Sequence, residues 1–207
     1  MTPLTTSPLT AFCEQYRLEP HRTGPVVSTI AGRHELGFLF RDMGYQRGAE
    51  IGVWRGSFSA YLCKTIPGLH LTCVDPWIRY GGYEDPKNQQ AGLEDAYVQA
   101  CAVLEPYGCD IKRMTSKKAA ALVPDGSLDF IFVDGNHGKD YVLADLEAWV
   151  PKVRSSGIIS GHDYELVPRR KWLQVKAAVD EWRQTHNTGP LYVVANDKTP
   201  SFFWMVP

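Results

Sequence analysis

Four residues that could bind a metal ion or move a proton follow two apolar segments of the sequence. The segments span residues 128–133 and 157–160, and the residues that follow them are Asp134, His137, His162 and Asp163. Carboxylates together with imidazoles are common ligands of divalent metals, and they can also remove a proton near neutral pH. Each residue has an ordinary alternative, as a turn residue, a helix cap or a histidine without chemistry. Their joint occurrence after two such segments favours a shared site.

A glycine-bearing turn forms the second candidate site. The turn reads GAEIGVWRGSFS, so a short strand that contains Glu50 leads into a helix near Ser57. Gly52 and Gly56 let the backbone approach a ligand closely, and the first turn of a helix offers free N–H groups to a carboxylate or phosphate. A dinucleotide site requires G-x-G-x-x-G, whereas this turn reads G-x-x-x-G with Trp54 in the middle. The alternative is an ordinary tight turn capped by Ser57.

An acid at the end of the next strand adds to this second site. Asp75 directly follows the apolar segment 69–74 and lies 19 positions beyond Gly56. A carboxylate at that place can accept two hydrogen bonds from the hydroxyls of a ribose. Asp75 by itself could equally be a cap or a turn residue. Glu50 and Asp75 together, at the ends of two consecutive strands, are more informative than either residue alone.

The elements that must position these residues alternate along the chain. Seven short, mostly apolar strands are predicted, and helices separate the first six of them, which is typical of an α/β protein with a parallel sheet covered on both faces. The last two strands are joined at hairpin length, so the sheet is predicted to end in an antiparallel pair. Ligands of open α/β sheets bind beyond the carboxyl ends of the strands, where both candidate sites lie. The predicted strands are 48–53, 69–74, 110–114, 128–133, 157–160, 191–195 and 201–206.

Length and charge bound the domain organisation and the partners. A chain of 207 residues suits one domain. We predict that residues 31–207 form this domain and that residues 1–30, which contain four prolines, form an irregular arm with one short helix near residues 12–16. The balance of 22 basic against 23 acidic residues argues against a nucleic-acid partner.

Neither a membrane segment nor a secretory signal is predicted. No apolar run approaches the roughly 20 residues that span a bilayer, and the N-terminus has neither a basic start nor a long apolar stretch. The five cysteines are scattered, odd in number and without a CxxC pair. We therefore expect buried, reduced thiols in a cytoplasmic protein that has no membrane partner.

The glycine turn and the two strand-end acids resemble the class I S-adenosylmethionine-dependent methyltransferases. The resemblance implies a Rossmann-like, seven-stranded sheet with a reversed last strand. It also implies that the turn lines the methionine end of S-adenosyl-L-methionine, that Asp75 holds the ribose hydroxyls, and that the adenine edge lies near Thr115. Where many relatives have Gly-Asp-Ser, this chain has Met-Thr-Ser. The implied cofactor-binding residues are Glu50, Gly52, Val53, Trp54, Gly56, Ser57, Asp75, Pro76, Trp77, Thr115, Ser116 and Asp134.

The segment that begins at Asp134 carries a sharper resemblance. It reads DGNHGKDYVLADLEAWVPKVRSSGIISGHDY, and it is similar to the family-24 methyltransferase domain, with D-G-x-H, a helix with an internal Asp, and G-H-D-Y. In related metal-dependent O-methyltransferases, acids at these two strand ends bind magnesium. The resemblance thus implies a metal site of Asp134, His162 and Asp163, in which the imidazole admits magnesium, a softer metal or none. His137 is the first candidate for the catalytic base, with Asp134 and His162 beside it. Asp145, the internal acid, is expected to face solvent or to pair with a basic neighbour.

These observations predict an O-methyltransferase that acts on a small hydroxylated acceptor, such as a sugar or a natural product. The acceptor is expected to meet the aromatic loop 75–88, while the arm and the loop 164–171 close over the pocket. Two alternatives remain, a metal-dependent hydrolase that uses the Asp/His cluster and a non-catalytic module that binds S-adenosylmethionine. A homodimer is compatible with the sequence.

Overall fold

The structure is a computed structural model, and it describes residues 6–19, 24–81, 90–165 and 169–207. The strands are β1 (Val26–Ser28), β2 (Arg47–Ile51), β3 (His70–Val74), β4 (Asp110–Lys112), β5 (Leu128–Val133), β6 (Val153–Gly161), β7 (Tyr192–Val194) and β8 (Ser201–Met205). The helices are α1 (Pro8–Gln15), α2 (Arg33–Asp42), α3 (Ser57–Thr65), α4 (Gln90–Leu104), α5 (Ser116–Ala120), α6 (Lys139–Trp149) and α7 (Val175–Thr185). Short 3₁₀ turns cover Glu105–Tyr107 and Val150–Lys152.

The described strands form one mixed sheet, and this confirms the predicted α/β fold. The strand order is β1-β7-β8-β6-β5-β2-β3-β4. Strand β8 runs antiparallel to both of its neighbours, as the hairpin-length connection predicts, and the other pairings are parallel.

The sheet has eight described strands, one more than the seven predicted. The additional strand, β1, pairs with β7 and comes from the segment 1–30, for which an irregular arm is predicted. The same segment contains α1, whose Phe12 and Cys13 are buried. A strand of three residues is too short to show an alternating pattern, so its pairing depends on the tertiary contact with β7. Residues 1–5 and 20–23 of the arm lie outside the described residues.

The register of the central strands brings the predicted site residues to one edge of the sheet. Ile51 at the end of β2 is aligned with Val74 of β3 and with Val133 of β5. Val133 is in turn aligned with Gly161 of β6. Because these strands are parallel, the residues that follow them emerge side by side. They are Gly52, Asp75, Asp134 and His162.

Both faces of the sheet are covered, and this explains why β5 is apolar from Phe130 to its end. Phe130 and Phe132 point into the core beneath α2 and α3, whereas Ile131 and Val133 point into the core beneath α6 and α7. A strand buried on both faces has no polar side to display. The apolar run therefore ends only where the strand leaves the core, at Asp134.

The opposite edge of the sheet is held by Asp129, and its loss is expected to destabilise the fold. The Asp129 carboxylate accepts the backbone N–H groups of Gln46 and Arg47, at 2.8 Å each, and the Nε–H of Arg154 at 2.7 Å. Burial opposes ionisation, but these donors outweigh it and lower the pKa of Asp129 below its ordinary value. We expect Asp129→Asn to lower the free energy of unfolding by about 1–3 kcal/mol at neutral pH.

Urea unfolding at two pH values checks this expectation. A carboxyl group whose pKa is lowered by folding stabilises the protein above its unfolded pKa of about 4, and this stabilisation is lost as the pH falls. The difference between wild type and Asp129→Asn should therefore shrink in acid. Asp125→Asn is the control, because Asp125 is 73% exposed although it pairs with Lys152. If both substitutions had the same small effect on the free energy of unfolding, the stabilising role of Asp129 would be contradicted.

Candidate functional site

The turn after β2 is built around Glu50 and two glycines. Glu50 is 2% exposed, and the Ser59 hydroxyl of α3 donates a hydrogen bond to its carboxyl group. Gly52 has φ +93°, and a Cβ atom at this position would lie 2.1 Å from the carbonyl oxygen of Asp134. The turn thus passes directly against the end of β5. The N-cap residue of α3 is Gly56, so the alternative in which Ser57 caps the helix is wrong.

Asp75 organises this turn from the end of β3. One of its carboxylate oxygens accepts the backbone N–H groups of Val53 and Trp54, at 3.0 Å each, and the other accepts the N–H of Trp77 at 2.8 Å. The indole N–H of Trp77, which is buried, donates to the carbonyl oxygen of Trp54 at 2.7 Å. A carboxylate has about four acceptor positions, so the hydrogen bonds from the described residues leave one for a ligand. Asp75 thus has the turn role that the sequence leaves open, and its contact with a ribose stays a prediction.

Two tryptophans of this region adopt backbone conformations that bulky residues seldom take. Trp54 has φ +52° and Trp77 has φ +45°. Such residues cluster at functional sites, where the surrounding structure holds them in place. Here the hydrogen bonds to Asp75 and between the two tryptophans hold them. Pro76 lies between Asp75 and Trp77 and is half-buried.

The residues after β4 lie beside an acid that sequence analysis placed elsewhere. Thr115 is the N-cap residue of α5, and Ser116 begins that helix. The Ser116 hydroxyl accepts the indole N–H of Trp149 at 2.8 Å, and its own proton faces the carboxyl group of Asp145. Asp145 is 8% exposed, so the expectation that it faces solvent is wrong. The alternative of a basic partner is also wrong, because Asp145 forms no ion pair with any residue that the structure describes.

The predicted acid–imidazole cluster comes together at the ends of β5 and β6. The Oδ2 atom of Asp163 lies 3.0 Å from Nε2 of His137 and 3.3 Å from Nδ1 of His162. The Oδ1 atom of Asp134 lies 3.9 Å from Nε2 of His137 and 4.0 Å from Nδ1 of His162. Asp163 therefore stands between two imidazoles, and its own φ of +59° turns the chain at that point.

Three members of this cluster have the spacing of a metal site. One ligand atom from each of Asp134, His162 and Asp163 lies within 4.8 Å of the others. A divalent ion that takes oxygen and nitrogen ligands fits this donor set. These are the three residues for which the sequence predicts a metal site.

The carboxylates control the protonation of the two imidazoles. Burial opposes a charged imidazole, but hydrogen bonds and charges from Asp134 and Asp163 outweigh it and raise the pKa of His137 to about 10. The same neighbours raise the pKa of His162. Burial would raise the pKa of Asp163, but the two imidazoles hold it far below its ordinary value. His137 is therefore expected to carry a proton at neutral pH.

An arginine that sequence analysis missed also reaches this edge. The Arg33 guanidinium at the start of α2 lies 3.8 Å from Oδ2 of Asp134 and 5.3 Å from the ring of Phe58. The backbone N–H of Arg33 is fixed by Asp197 at 2.6 Å. Arg33 precedes the first central strand, so no motif in the sequence connects it to the strand ends. Its proximity depends on the path of α2 across the sheet.

Only part of the predicted acceptor loop can be located. The Tyr80 hydroxyl lies 3.4 Å from Nδ2 of Asn136, and the Tyr141 hydroxyl donates to the carbonyl oxygen of Gly81 at 2.8 Å. The loop residues Tyr83, Glu84 and Asp85 lie outside the described residues, as do residues 166–168 of the second predicted closing loop.

Within the residues that the structure describes, every helix is too short or too polar to span a bilayer.

Comparison with known proteins identifies the family of this domain. A family model described as a methyltransferase domain matches residues 49–164, more than half of the chain. An uncharacterized protein of Sinorhizobium fredii, y4gI, is 27% identical over 129 residues. The match covers 58% of this chain and 13% of that protein, so the chain spans only a small part of this relative.

Solved structures of similar fold include two O-methyltransferases. One, from Bacillus cereus in complex with S-adenosylhomocysteine, has a TM-score of 0.60 at 14% identity and covers 100% of this chain and 94% of its own. The other, TomG from Streptomyces achromogenes in complex with S-adenosylmethionine, has a TM-score of 0.60 at 13% identity and covers 84% and 78%. At these identities the likeness establishes the fold.

Proposed function

The chain belongs to the methyltransferase-domain family, and we propose that it is an S-adenosylmethionine-dependent O-methyltransferase acting on a small hydroxylated acceptor, such as a sugar or a natural product. The observation that carries the proposal is a single sheet edge that holds both a glycine turn and an acid–imidazole cluster. S-adenosylmethionine supplies a methyl group on a positively charged sulfur, and transfer requires that the acceptor oxygen be aligned with it.

The residues of the turn fit this cofactor. The buried carboxyl group of Glu50 suits the ammonium group of the methionine end, because a cation stabilises a buried carboxylate. Gly52 brings backbone close to that end, and the N-terminus of α3 offers N–H groups to the methionine carboxylate. The remaining acceptor position of Asp75 suits a ribose hydroxyl.

The acid–imidazole cluster supports the removal of the proton from the acceptor hydroxyl. An acceptor hydroxyl must lose its proton as its oxygen forms the new bond to carbon. A metal held by Asp134, His162 and Asp163 would lower the pKa of that hydroxyl. His137, hydrogen-bonded to Asp163 at 3.0 Å, is our first candidate for the group that takes the proton. Because its raised pKa of about 10 leaves His137 mostly protonated at neutral pH, the role of base requires that His137 first give up its own proton.

Aromatic rings near the cluster support a ring-shaped acceptor. The rings of Tyr80 and Tyr141 lie 5.8 Å apart, and the ring of Trp172 lies 5.5 Å from that of His137. Apolar faces with a few polar groups suit a sugar or a phenolic ring. We infer that the acceptor enters on this side of the cluster.

The two alternatives are less well supported. A metal-dependent hydrolase does not require the turn around Gly52 or the acid Asp75 at the next strand end. A non-catalytic cofactor-binding module does not require three acid and imidazole side chains whose donor atoms lie within 4.8 Å of one another. Formation of a methylated product separates the proposed enzyme from such a module.

Calorimetric titration with S-adenosylhomocysteine tests the proposed function. We expect micromolar binding, which corresponds to about −8 kcal/mol, measured with magnesium and with a chelator. A screen of phenolic and sugar acceptors, followed by mass spectrometry of the products, then tests the transfer itself. The absence of binding under every condition would overturn the methyltransferase proposal.

Glu50→Gln is expected to weaken cofactor binding without lowering the stability of the protein. Burial, only partly offset by the hydrogen bond from Ser59, raises the pKa of Glu50 to about 8. When folding raises the pKa of a carboxyl group, the protonated group contributes fully to stability at low pH. This contribution to stability is lost as the pH rises towards 8. The neutral amide should therefore make the protein at least as stable as wild type above pH 7, whereas affinity for S-adenosylhomocysteine should fall about tenfold or more.

Thermal unfolding between about pH 5 and 9 and calorimetric titration measure the two effects. Glu14→Gln is the control, because Glu14 is exposed on α1 and is not part of the turn. Unchanged affinity in Glu50→Gln would show that Glu50 does not contact the charged end of the cofactor.

A further inference from the structure

Three of the five cysteines form a cluster between α3 and the strands β3 and β4. Cys63 lies in the last turn of α3, Cys73 lies in β3, and Cys109 directly precedes β4. The Sγ atoms of Cys63 and Cys109 lie 3.5 Å apart, although the two residues are 46 positions apart in the sequence. The Cys73 thiol is also hydrogen-bonded to Cys109. The fold thus brings together thiols that are scattered along the sequence.

Solvent reaches two of these thiols but not the third. Cys73 is buried, as the sequence predicts, whereas Cys63 and Cys109 are partly exposed, contrary to that expectation. A buried cysteine behaves as a small apolar residue, and packing alone explains its presence. Two partly exposed thiols in contact with each other have a chemical use that a buried thiol lacks, because an oxidant can reach them.

The neighbouring thiols favour the thiolate form of Cys109. Thiol hydrogen bonds from Cys63 and Cys73 lower the pKa of Cys109, and they outweigh burial, which would raise it. The hydrogen bond to Cys109, together with burial, raises the pKa of Cys63. Because the thiolate is the form of cysteine that attacks an oxidant, Cys109 is the nucleophile of this pair, and Cys63 is the partner that completes a bond to it.

The backbone beside Cys109 lets the two sulfur atoms close the remaining distance. A disulfide bond requires a separation of about 2.05 Å, so the sulfurs must approach each other by about 1.5 Å. Cys109 lies outside any helix or strand, directly after Gly108. A Cβ atom on Gly108 would meet nothing within 4 Å, so this connection has room to shift. Side-chain rotation and such a shift supply the approach while α3 stays in place.

We propose that Cys63 and Cys109 form a reversible disulfide bond when a peroxide oxidises Cys109. The Cys109 thiolate attacks one peroxide oxygen, the O–O bond breaks, and the hydroxide that leaves takes up a proton to become water, so that Cys109 becomes a sulfenic acid. The Cys63 sulfur then attacks the sulfenic sulfur and loses its proton, the S–S bond forms, and the S–O bond breaks to release a second water. Two thiols are oxidised, and one hydrogen peroxide is reduced to two waters.

Peptide mapping of the full chain tests the inference without any variant. The reduced protein is treated with a small excess of hydrogen peroxide and a chelator, the remaining thiols are alkylated, and the digest is analysed by mass spectrometry. We expect a linked pair of peptides that contains Cys63 and Cys109 and lacks two hydrogen atoms, from protein that runs as a monomer on a non-reducing gel. Dithiothreitol should restore both thiols. If both residues stayed fully alkylated, or if links joined other cysteines or separate chains, the inference would be overturned.

Two serine variants assign the roles of the two sulfurs. In Cys63→Ser the sulfenic acid has no partner, so dimedone should label Cys109. In Cys109→Ser neither the label nor the bond should form. Cys101→Ser is the matched control, because Cys101 is also partly exposed but its thiol faces Tyr97, and it should form the bond as wild type does. Dimedone labelling of Cys63 in Cys109→Ser, with none of Cys109 in Cys63→Ser, would contradict the oxidation of Cys109.

Thermal unfolding distinguishes a bond that fits the fold from one that distorts it. A fitting bond between residues 46 positions apart should raise the Tm of oxidised wild type by about 5 °C or more over that of the reduced protein. Cys101→Ser should show the same rise, and Cys109→Ser should show none. An unchanged or lower Tm of oxidised wild type would show that the folded chain does not accommodate the bond, and it would overturn the inference. None of these readouts depends on methyl transfer, so they hold whether or not the proposed function does.

Discussion

Gly52→Ala is expected to abolish binding of S-adenosylhomocysteine and to lower the free energy of unfolding by about 2–5 kcal/mol. The φ of +93° at Gly52 is strained for any residue with a side chain. In addition, the new Cβ atom would lie 2.1 Å from the carbonyl oxygen of Asp134 and 2.4 Å from its carbonyl carbon. Both contacts are with backbone of a central strand end, which cannot turn aside as a flexible side chain would. The turn and the end of β5 must therefore separate.

Urea unfolding and calorimetric titration measure these two effects, and Gly44→Ala provides a matched control. Gly44 has φ +72°, but a Cβ atom there would meet nothing within 4 Å. The control thus carries the backbone strain without the clash, and it should cost about 1–2 kcal/mol and leave binding unchanged. If Gly52→Ala bound the ligand as wild type does, the turn would not be part of the cofactor site.

The location of the candidate site could be predicted because it follows from strand ends. Asp75 and Asp134 come directly after apolar segments, and His162 follows a third one after Gly161. Parallel strands in register bring such positions to one edge. The glycine at position 52 was also predictable as a point of close approach. The sequence could not show that the backbone it approaches is that of Asp134.

The hydrogen bonds made at these positions could not be predicted. Asp75 accepts three backbone N–H groups because the turn folds back over it through two tryptophans in the left-handed region. The spacing of apolar residues in the sequence does not predict how this turn folds back over Asp75. The contact of Arg33 with Asp134 likewise depends on how α2 crosses the sheet.

The burial of Asp145 is indicated by the sequence, although the residue type argues against it. At helical spacing it shares a face with Val142 and Trp149, both buried, and this pattern indicates burial. The rarity of buried carboxylates without partners favours instead an acid that faces solvent or pairs with a base. Composition rules describe the average site, and an acid that breaks them on an apolar helix face is a reason to look for a ligand.

Asp163→Asn is expected to lower the rate of methyl transfer about a hundredfold or more while affinity for S-adenosylhomocysteine stays within about threefold of wild type. Asn tolerates the left-handed conformation that Asp163 adopts at φ +59°, so the backbone should remain in place. The amide removes the negative charge that stands between His137 and His162. Both the binding of a metal and the transfer of a proton through this cluster need that charge.

Two measurements show whether the Asp163 charge holds a metal or acts only through the imidazoles. They are the rate of transfer to an acceptor found by screening and the thermal stabilisation by magnesium or manganese. If the cluster holds a metal, a chelator should abolish transfer by wild type, and the metal should stabilise wild type but not Asp163→Asn. If the cluster acts only through its imidazoles, the chelator should leave the wild-type rate unchanged while Asp163→Asn remains slow. Asp140→Asn, an exposed position at the start of α6, is the control for both measurements. Wild-type rates in Asp163→Asn would remove the cluster from the reaction, because neither use of the Asp163 carboxylate survives its conversion to an amide.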